Sequence, residues 1–81
     1  MTREQLIQQS RAAERDNIEM GEAAADATFL ATFAFRKPIQ SRRIQVMPGL
    51  SGLVVGQSLE DGLHNITVRI HSKDVRQWAN L

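Results

Sequence analysis

The second half of the chain alternates hydrophobic and polar residues between short clusters rich in Gly and Pro. In the clearest run, residues 64–71, the hydrophobic residues Ile66, Val68 and Ile70 alternate with polar ones. A period of two between turn residues is typical of half-buried antiparallel strands. The pattern therefore predicts a strand over residues 64–71 and predicts that these three side chains face a core.

Two shorter strands are predicted before this one, over residues 42–47 and 53–58. Pro48-Gly49 is expected to turn the chain between them, because Pro and Gly are favoured in tight turns. Asp61-Gly62 is a strong hairpin signal ahead of residues 64–71. Together these elements predict a set of antiparallel strands joined by short turns.

The first part of the chain is predicted to be helical over residues 2–26. Thr2 suits the N-cap position, and Gln5 three residues later completes a capping-box pattern. One stripe of this helix would carry mostly small or polar side chains: Leu6, Ser10, Ala13, Asn17, Met20, Ala24 and Ala27. Because such a stripe buries little apolar area, we expect the helix to lie against the sheet or to stay partly mobile until a partner binds. A coiled-coil dimer along the stripe is a weaker alternative.

The segment between the helix and these strands, residues 28–36, fits two structures. As a strand it would place Phe29, Phe33 and Phe35 on one face. As a helix it would stack Phe29 on Phe33 and end just before Pro38. The alternation of aromatic residues with threonines favours the strand.

These elements predict an α+β fold in one domain, residues 1–81, with the sheet in residues 28–81. An N-terminal helix would be followed by a four-stranded antiparallel meander and a short terminal element. Ser72 could cap a last helix over residues 73–80, or this segment could form a final strand. A strongly curled sheet of this kind would be similar to an SH3-like half-barrel over residues 39–81. The similarity lies in turn chemistry that any meander shares, so it implies no particular function.

The amino-acid composition limits which catalytic and metal-binding sites the chain can form. The chain has 81 residues, no Cys and only two His, so it lacks disulfides and thiolate metal ligands, and we expect no cofactor or metal site. The segment Gly49-Leu50-Ser51-Gly52 lacks the spacing of a nucleophile elbow, and no Gly-Lys-Ser/Thr element is present. We therefore expect a protein that is not an enzyme and takes no small-molecule substrate. Self-association is the natural source of additional stability for so short a chain.

Location is predicted from what the chain lacks. The N-terminus carries no apolar segment typical of a signal peptide. The most apolar stretch, residues 23–35, is shorter than the roughly 20 residues that span a bilayer. We expect a cytoplasmic protein that does not enter the membrane.

Charge is distributed unevenly along the chain. Residues 1–35 carry a net charge of −3 and residues 36–81 a net charge of +4. Because Ile44 and Val46 should face inward, Arg43 should face outward, and the same alternation places Arg69 outward. The candidate partner-binding residues are basic or aromatic side chains of this second half: Arg42, Arg43, Arg69, His71, Lys73, Arg76 and Trp78.

Two function classes are compatible with these residues. The first is a protein-interaction module, expected to be a homodimer, that binds through the acidic helix or an open sheet edge. The second is a nucleic-acid-associated accessory protein whose arginines contact a phosphate backbone. The small overall net charge of +1 favours a protein partner over a nucleic acid.

Overall fold

Residues 1–80 form two α-helices and one four-stranded antiparallel sheet. The structure, a computed structural model, describes residues 1–80, so residue 81 at the end of the predicted domain lies outside the described part. In chain order the elements are helix α1 (Arg3–Glu19), a 3-10 turn (Ala24–Asp26), strands β1 (Thr28–Phe35), β2 (Arg43–Met47), β3 (Leu50–Glu60) and β4 (Leu63–His71), and helix α2 (Ser72–Ala79). The predicted α+β class is confirmed: an N-terminal helix, a curled half-barrel sheet and a short C-terminal helix follow one another along the chain.

The strands are arranged in the order β1-β4-β3-β2. Consecutive hairpins join β2, β3 and β4, while β1 lies beside β4 at the other edge of the sheet. Residues 36–42 therefore carry the chain from one edge of the sheet to the other. The two edge strands are β1 and β2.

Strand β4 supplies the centre of the core. Its inward side chains Ile66, Val68 and Ile70 are all 0% exposed, as the alternation predicted. On β1, the side chains of Phe29 and Phe33 share this inner face and pack against the same core. The strand interpretation of residues 28–36 is thus confirmed over Thr28–Phe35.

A two-residue turn sets the pairing of β3 with β4. Asp61 has φ of 52° and Gly62 has φ of 77°, so both central residues are left-handed, as type I′ hairpins require. The predicted Asp61-Gly62 hairpin is confirmed. It starts a ladder that pairs Glu60 with Leu63 and reaches Leu53 opposite Arg69.

Helix α1 ends earlier than the predicted range of residues 2–26. The capping box of Thr2 and Gln5 starts it as expected, but the helix stops at Glu19. Gly21 adopts φ of 79°, and the N–H of Glu22 donates to the carbonyl of Asn17 at 2.8 Å. This is a Schellman motif, in which a glycine in the left-handed region ends the helix.

The buried face of α1 also differs from the predicted stripe. The buried residues are Leu6, Ile7, Ser10 and Glu14, whereas Met20, at the end of the predicted stripe, is 67% exposed. Leu6 and Ser10 are buried as the stripe predicted, but Ile7 and Glu14, outside the stripe, are buried too. The predicted helical stripe is wrong beyond Glu19, where the helix has ended, although Ala27 is buried just before β1.

The terminal element is a helix, α2, which decides between the two predicted alternatives. Ser72 does not cap it, because His71 occupies the N-cap position. Ser72 is fully buried; its N–H donates to Ala27 O at 3.0 Å and its hydroxyl to Ala24 O at 3.3 Å. Ser72 therefore joins the start of α2 to the segment that leads into β1.

We predict that Gly52→Ala destabilises the protein by about 1–3 kcal/mol, the usual cost of overfilling a core. A Cβ at Gly52 would overlap Val68 Cγ1 and lie 2.9 Å from Arg69 O. Gly56→Ala is the matched control, since a Cβ there meets its nearest neighbour, Thr67 Cβ, at an ordinary 3.7 Å. Denaturant unfolding of both variants measures the difference.

The clash with Val68 can be tested separately. Adding Val68→Ala to Gly52→Ala removes the overlapping methyl group, so the double variant should lose less stability than the sum of the two single variants. Equal costs for Gly52→Ala and Gly56→Ala would contradict the close approach of β3 to β4.

Candidate functional site

Strand β1 has one paired edge and one open edge. It pairs with β4 without a register shift along all of Thr28–Phe35, and no strand within residues 1–80 pairs with its other side. Just before the strand, Ser72 N–H donates to Ala27 O, so the backbone groups of Ala27 face the β4 side. Along an antiparallel pair of strands, the residues alternate between facing the partner strand and facing away from it. The alternation turns the backbone N–H and C=O groups of four residues toward the open edge: Thr28, Leu30, Thr32 and Ala34.

The open edge of β1 lacks the features that usually prevent strand pairing. Its eight residues include no charged side chain and no Pro. At the opposite edge, β2 has only five residues, begins with Arg43, contains a register shift between Gln45 and Met47, and is followed by Pro48. Short length, charge, bulges and Pro all discourage edge-to-edge pairing. The β1 edge is therefore the one at which a further strand can be added.

A groove lies at the start of β1, between this strand and one side of α1. Its volume is about 400 Å³. Phe29 and Thr28 form one wall, and α1 contributes Gln9, Ala12, Ala13, Asp16, Asn17 and Met20. The small Ala side chains leave room in the groove, and Phe29 gives it an apolar wall. An apolar side chain from a partner could occupy this space.

The outer face of the sheet brings Arg43 and Arg69 together. The strand register places four residues in one row across the sheet: Leu30 on β1, Arg69 on β4, Leu53 on β3 and Arg43 on β2. Neighbouring strands lie about 4.8 Å apart, so the Cα atoms of Arg43 and Arg69 are about 10 Å apart, with Leu53 between them. Leu30, at the end of the row, is 56% exposed.

Three other candidate residues lie away from the centre of this row. Arg42 precedes β2, is exposed, and its carbonyl accepts a 2.7 Å hydrogen bond from Val54 N–H. His71 is exposed at the end of β4, opposite Thr28. Lys73 is exposed in the first turn of α2. None of these three makes an ion pair within residues 1–80.

Arg76 is held by α1. Its Nε donates to Glu14 Oε2 at 2.7 Å and its Nη2 to Glu14 Oε1 at 3.0 Å, a bidentate pair. The Glu14 side chain is 7% exposed and that of Arg76 55%. The hydrogen bond and then the negative charge of Glu14 raise the pKa of Arg76 above its usual value. Arg76 therefore tethers α2 to α1, and its charge is already partnered.

Sequence reasoning missed Glu14. Glu14 is not part of the predicted stripe, yet it is buried and pairs with a residue 62 positions later. The only local signal was its position four residues after Ser10 on the true buried stripe.

Trp78 is also engaged within the chain. Its Nε1–H donates to Pro48 O at 2.9 Å, and the guanidinium of Arg3 lies 5.5 Å from the ring centroid. The indole thus joins α2 to the turn between β2 and β3. The part of the ring that remains accessible lines an open pocket of about 360 Å³ together with Arg43 and Asp74.

Neither metal-binding groups nor comparison with known proteins adds a further candidate site. Within residues 1–80, no three His, Asp or Glu side chains are grouped in a way that could hold a metal ion. None of the helices described is both long and apolar enough to cross a membrane. Comparison with protein-family models, with curated proteins and with solved structures finds no match to this chain. The candidate sites are therefore the β1 edge with its groove, and the Arg43–Arg69 row.

We predict that Arg76→Gln lowers the melting temperature more than Lys73→Gln does. Both variants remove one positive charge from α2, but only Arg76→Gln leaves the buried carboxylate of Glu14 without its bidentate partner. Thermal unfolding followed by circular dichroism measures both.

The double variant Glu14→Gln/Arg76→Gln provides the control, because it removes the unpaired buried charge and should recover part of the loss. Equal melting temperatures for Arg76→Gln and Lys73→Gln would show that the ion pair contributes nothing.

Proposed function

We propose that this protein is a small, non-enzymatic interaction module of accessory or regulatory type, which binds by strand addition at the β1 edge and self-associates. The observation that carries the proposal is the edge itself. Strand β1, Thr28–Phe35, has eight uncharged residues, four of which turn unpaired backbone groups to the open edge, and a groove lies beside its first residues.

Strand addition suits this edge for two reasons. The backbone hydrogen bonds supply affinity, and pockets beside the strand supply specificity. Here the four outward-directed residues supply the hydrogen bonds, and the groove between β1 and α1 supplies the pocket. The edge is also rich in Phe and Thr, which favour the extended conformation.

Two of the charged surfaces of the protein lie away from this edge. The buried acid Glu14 and the base Arg76 neutralise each other between α1 and α2. Arg43 belongs to the opposite edge strand. A partner strand at β1 therefore meets no charged side chain of β1 itself.

We predict that Thr32→Pro weakens self-association by about five- to a hundredfold. The N–H of Thr32 points to the open edge, so Pro removes a donor from the interface without removing a backbone hydrogen bond to β4. The 3.4 Å contact between the hydroxyls of Thr32 and Thr67 is lost as well, and the control variant Thr32→Val loses it too. Two hydrogen bonds are lost per symmetric pair at about 0.5–1.5 kcal/mol each, and every 1.4 kcal/mol or so is a factor of ten. Light-scattering mass across a concentration series measures the change.

Thr32→Val is the matched control, because it keeps the N–H and the preference for a strand. It should associate as the parent protein does, and both variants should melt cooperatively. A parent protein that remains at the mass of one chain up to high concentration would rule out self-association.

A second candidate function is supported by the row that contains Arg43 and Arg69. Two outward arginines about 10 Å apart on one sheet face could contact the phosphates of a nucleic acid. Such binding should weaken steeply as salt rises, whereas an apolar strand interface should not. The small net charge of +1 makes this the second choice.

We predict that Arg43→Glu/Arg69→Glu abolishes any binding to nucleic acid and leaves the melting temperature almost unchanged, since exposed charges contribute little to stability. Arg11→Glu/Arg15→Glu reverses the same charge on the exposed side of α1 and is the matched control. A fluorescence titration with a labelled oligonucleotide measures binding. If both double variants bind as the parent does, the row is not the contact surface.

A further inference from the structure

We propose that the strand added at β1 is β1 of a second copy, paired antiparallel about a twofold axis at Ala31. This inference rests on the proposed function, because it requires strand addition at the β1 edge. The partner is then a second copy of the chain, and the axis at Ala31 defines which residues of the two β1 strands lie opposite each other. The product is a continuous sheet of eight strands, in which each copy covers the open edge of the other.

The direction of the backbone groups limits the register. Hydrogen bonds form only when outward-directed residues of the two strands lie opposite each other, which leaves registers centred on Leu30, Ala31 or Thr32 as those that pair most of the strand. With Ala31 at the centre, Thr28 lies opposite the partner's Ala34 and Leu30 opposite the partner's Thr32. Only this register pairs all four outward-directed residues within β1.

The side chains on the inner face fit the same register. Ala31 would lie opposite the partner's Ala31, and this non-hydrogen-bonded position, where Cα atoms approach to about 4.5 Å, is the one at which a small side chain fits best. Phe29 would lie opposite the partner's Phe33, and aromatic cross-strand pairs are favourable. Each Phe33 packs against the core of its own copy, so in the dimer it would lie beside the groove of about 400 Å³ that the partner's Phe29 lines.

Charges at the ends of the strand support this register as well. Asp26 and Arg36, both exposed, flank β1 on either side. Neither residue is part of the strand, since Asp26 ends the 3-10 turn and Arg36 follows β1. With Ala31 at the centre, the two paired strands are flush, so Asp26 and the partner's Arg36 come to the same end, and the twofold axis repeats this at the other end. A register centred on Leu30 would offset the two strands and place the partner's Ala34 beyond the start of β1. Opposite charges across a strand pair favour the register that brings them together.

The opposite edge explains why assembly should stop at two copies. β2 is short, bulged and bordered by Arg43 and Pro48, so it does not offer a second edge of the same kind. Two β1 edges pair with each other and leave only protected edges. The expected mass is that of two chains, without longer polymers.

Single cysteine substitutions can report which residues of the two β1 strands lie opposite each other, because the chain has no Cys of its own. Leu30→Cys and Thr32→Cys are both substitutions at exposed positions on the outer face. In the proposed register, residue 30 lies opposite residue 32 of the partner at a Cα separation of about 5.5 Å, within the range of a disulfide. Residues with the same number would be about 8–9 Å apart by strand geometry, beyond that range.

The experiment mixes the two variants under mild oxidation, after exchange at low concentration, and identifies the products by intact mass. We expect the mixed disulfide between the two variants and little disulfide from either variant alone. Thr28→Cys mixed with itself is the control for random collision, since its two copies would lie far apart in this register. Circular dichroism of each variant before oxidation confirms that it is folded.

Three other outcomes would each overturn a different part of the proposal. Efficient cross-linking of Leu30→Cys alone or Thr32→Cys alone would place the axis at Leu30 or Thr32 and overturn the register. A parent protein with the mass of two chains but no cross-link in any mixture would overturn this inference while leaving self-association intact. A parent protein with the mass of one chain would overturn the proposed self-association itself.

Discussion

The complete burial of one face of β4 is the constraint on which the rest of the structure depends. Ile66, Val68 and Ile70 are fully inaccessible, and β4 is hydrogen-bonded to β1 on one side and to β3 on the other. Since side chains alternate along a strand, a shift by one residue would expose all three. The type I′ turn at Asp61-Gly62 and the close approach of Gly52 to β4 fix that register from the side of β3.

Placing β4 in the middle determines which edges stay open. Because β1 joins the sheet beside β4, β1 and β2 become the two edges, and they differ strongly. β2 is short and bulged, whereas β1 is uniform, uncharged and borders a groove. An exposed edge of this kind tends to pair with another chain, so an uncovered β1 would be a liability in a protein with no partner. The proposed strand addition turns this liability into the binding mode.

Two of the candidate binding side chains, Arg76 and Trp78, make contacts that hold the helices in place. Arg76 is paired with the buried Glu14, and the Trp78 indole is hydrogen-bonded to Pro48 beneath the guanidinium of Arg3. A chain of this size has a small hydrophobic core, which stabilises the packing of two helices only weakly. These polar contacts add to it by joining α1, α2 and the turn after β2. The arginines that remain on the outer sheet face are Arg43 and Arg69.

The sequence by itself determined the elements whose signals are local. Alternation fixed β4 and its buried face, Asp61-Gly62 fixed the hairpin, and Thr2 with Gln5 fixed the start of α1, because in each case the physical cause lies within a few neighbouring residues. Gly21 was a local signal for the end of α1 that the alanine-rich stretch after it obscured. Only the tertiary structure decided that β1 pairs with β4, that Glu14 meets Arg76, and that the open edge is β1. These contacts join residues far apart in the chain, and alternation or charge within one segment carries no information about which distant segment will lie beside it.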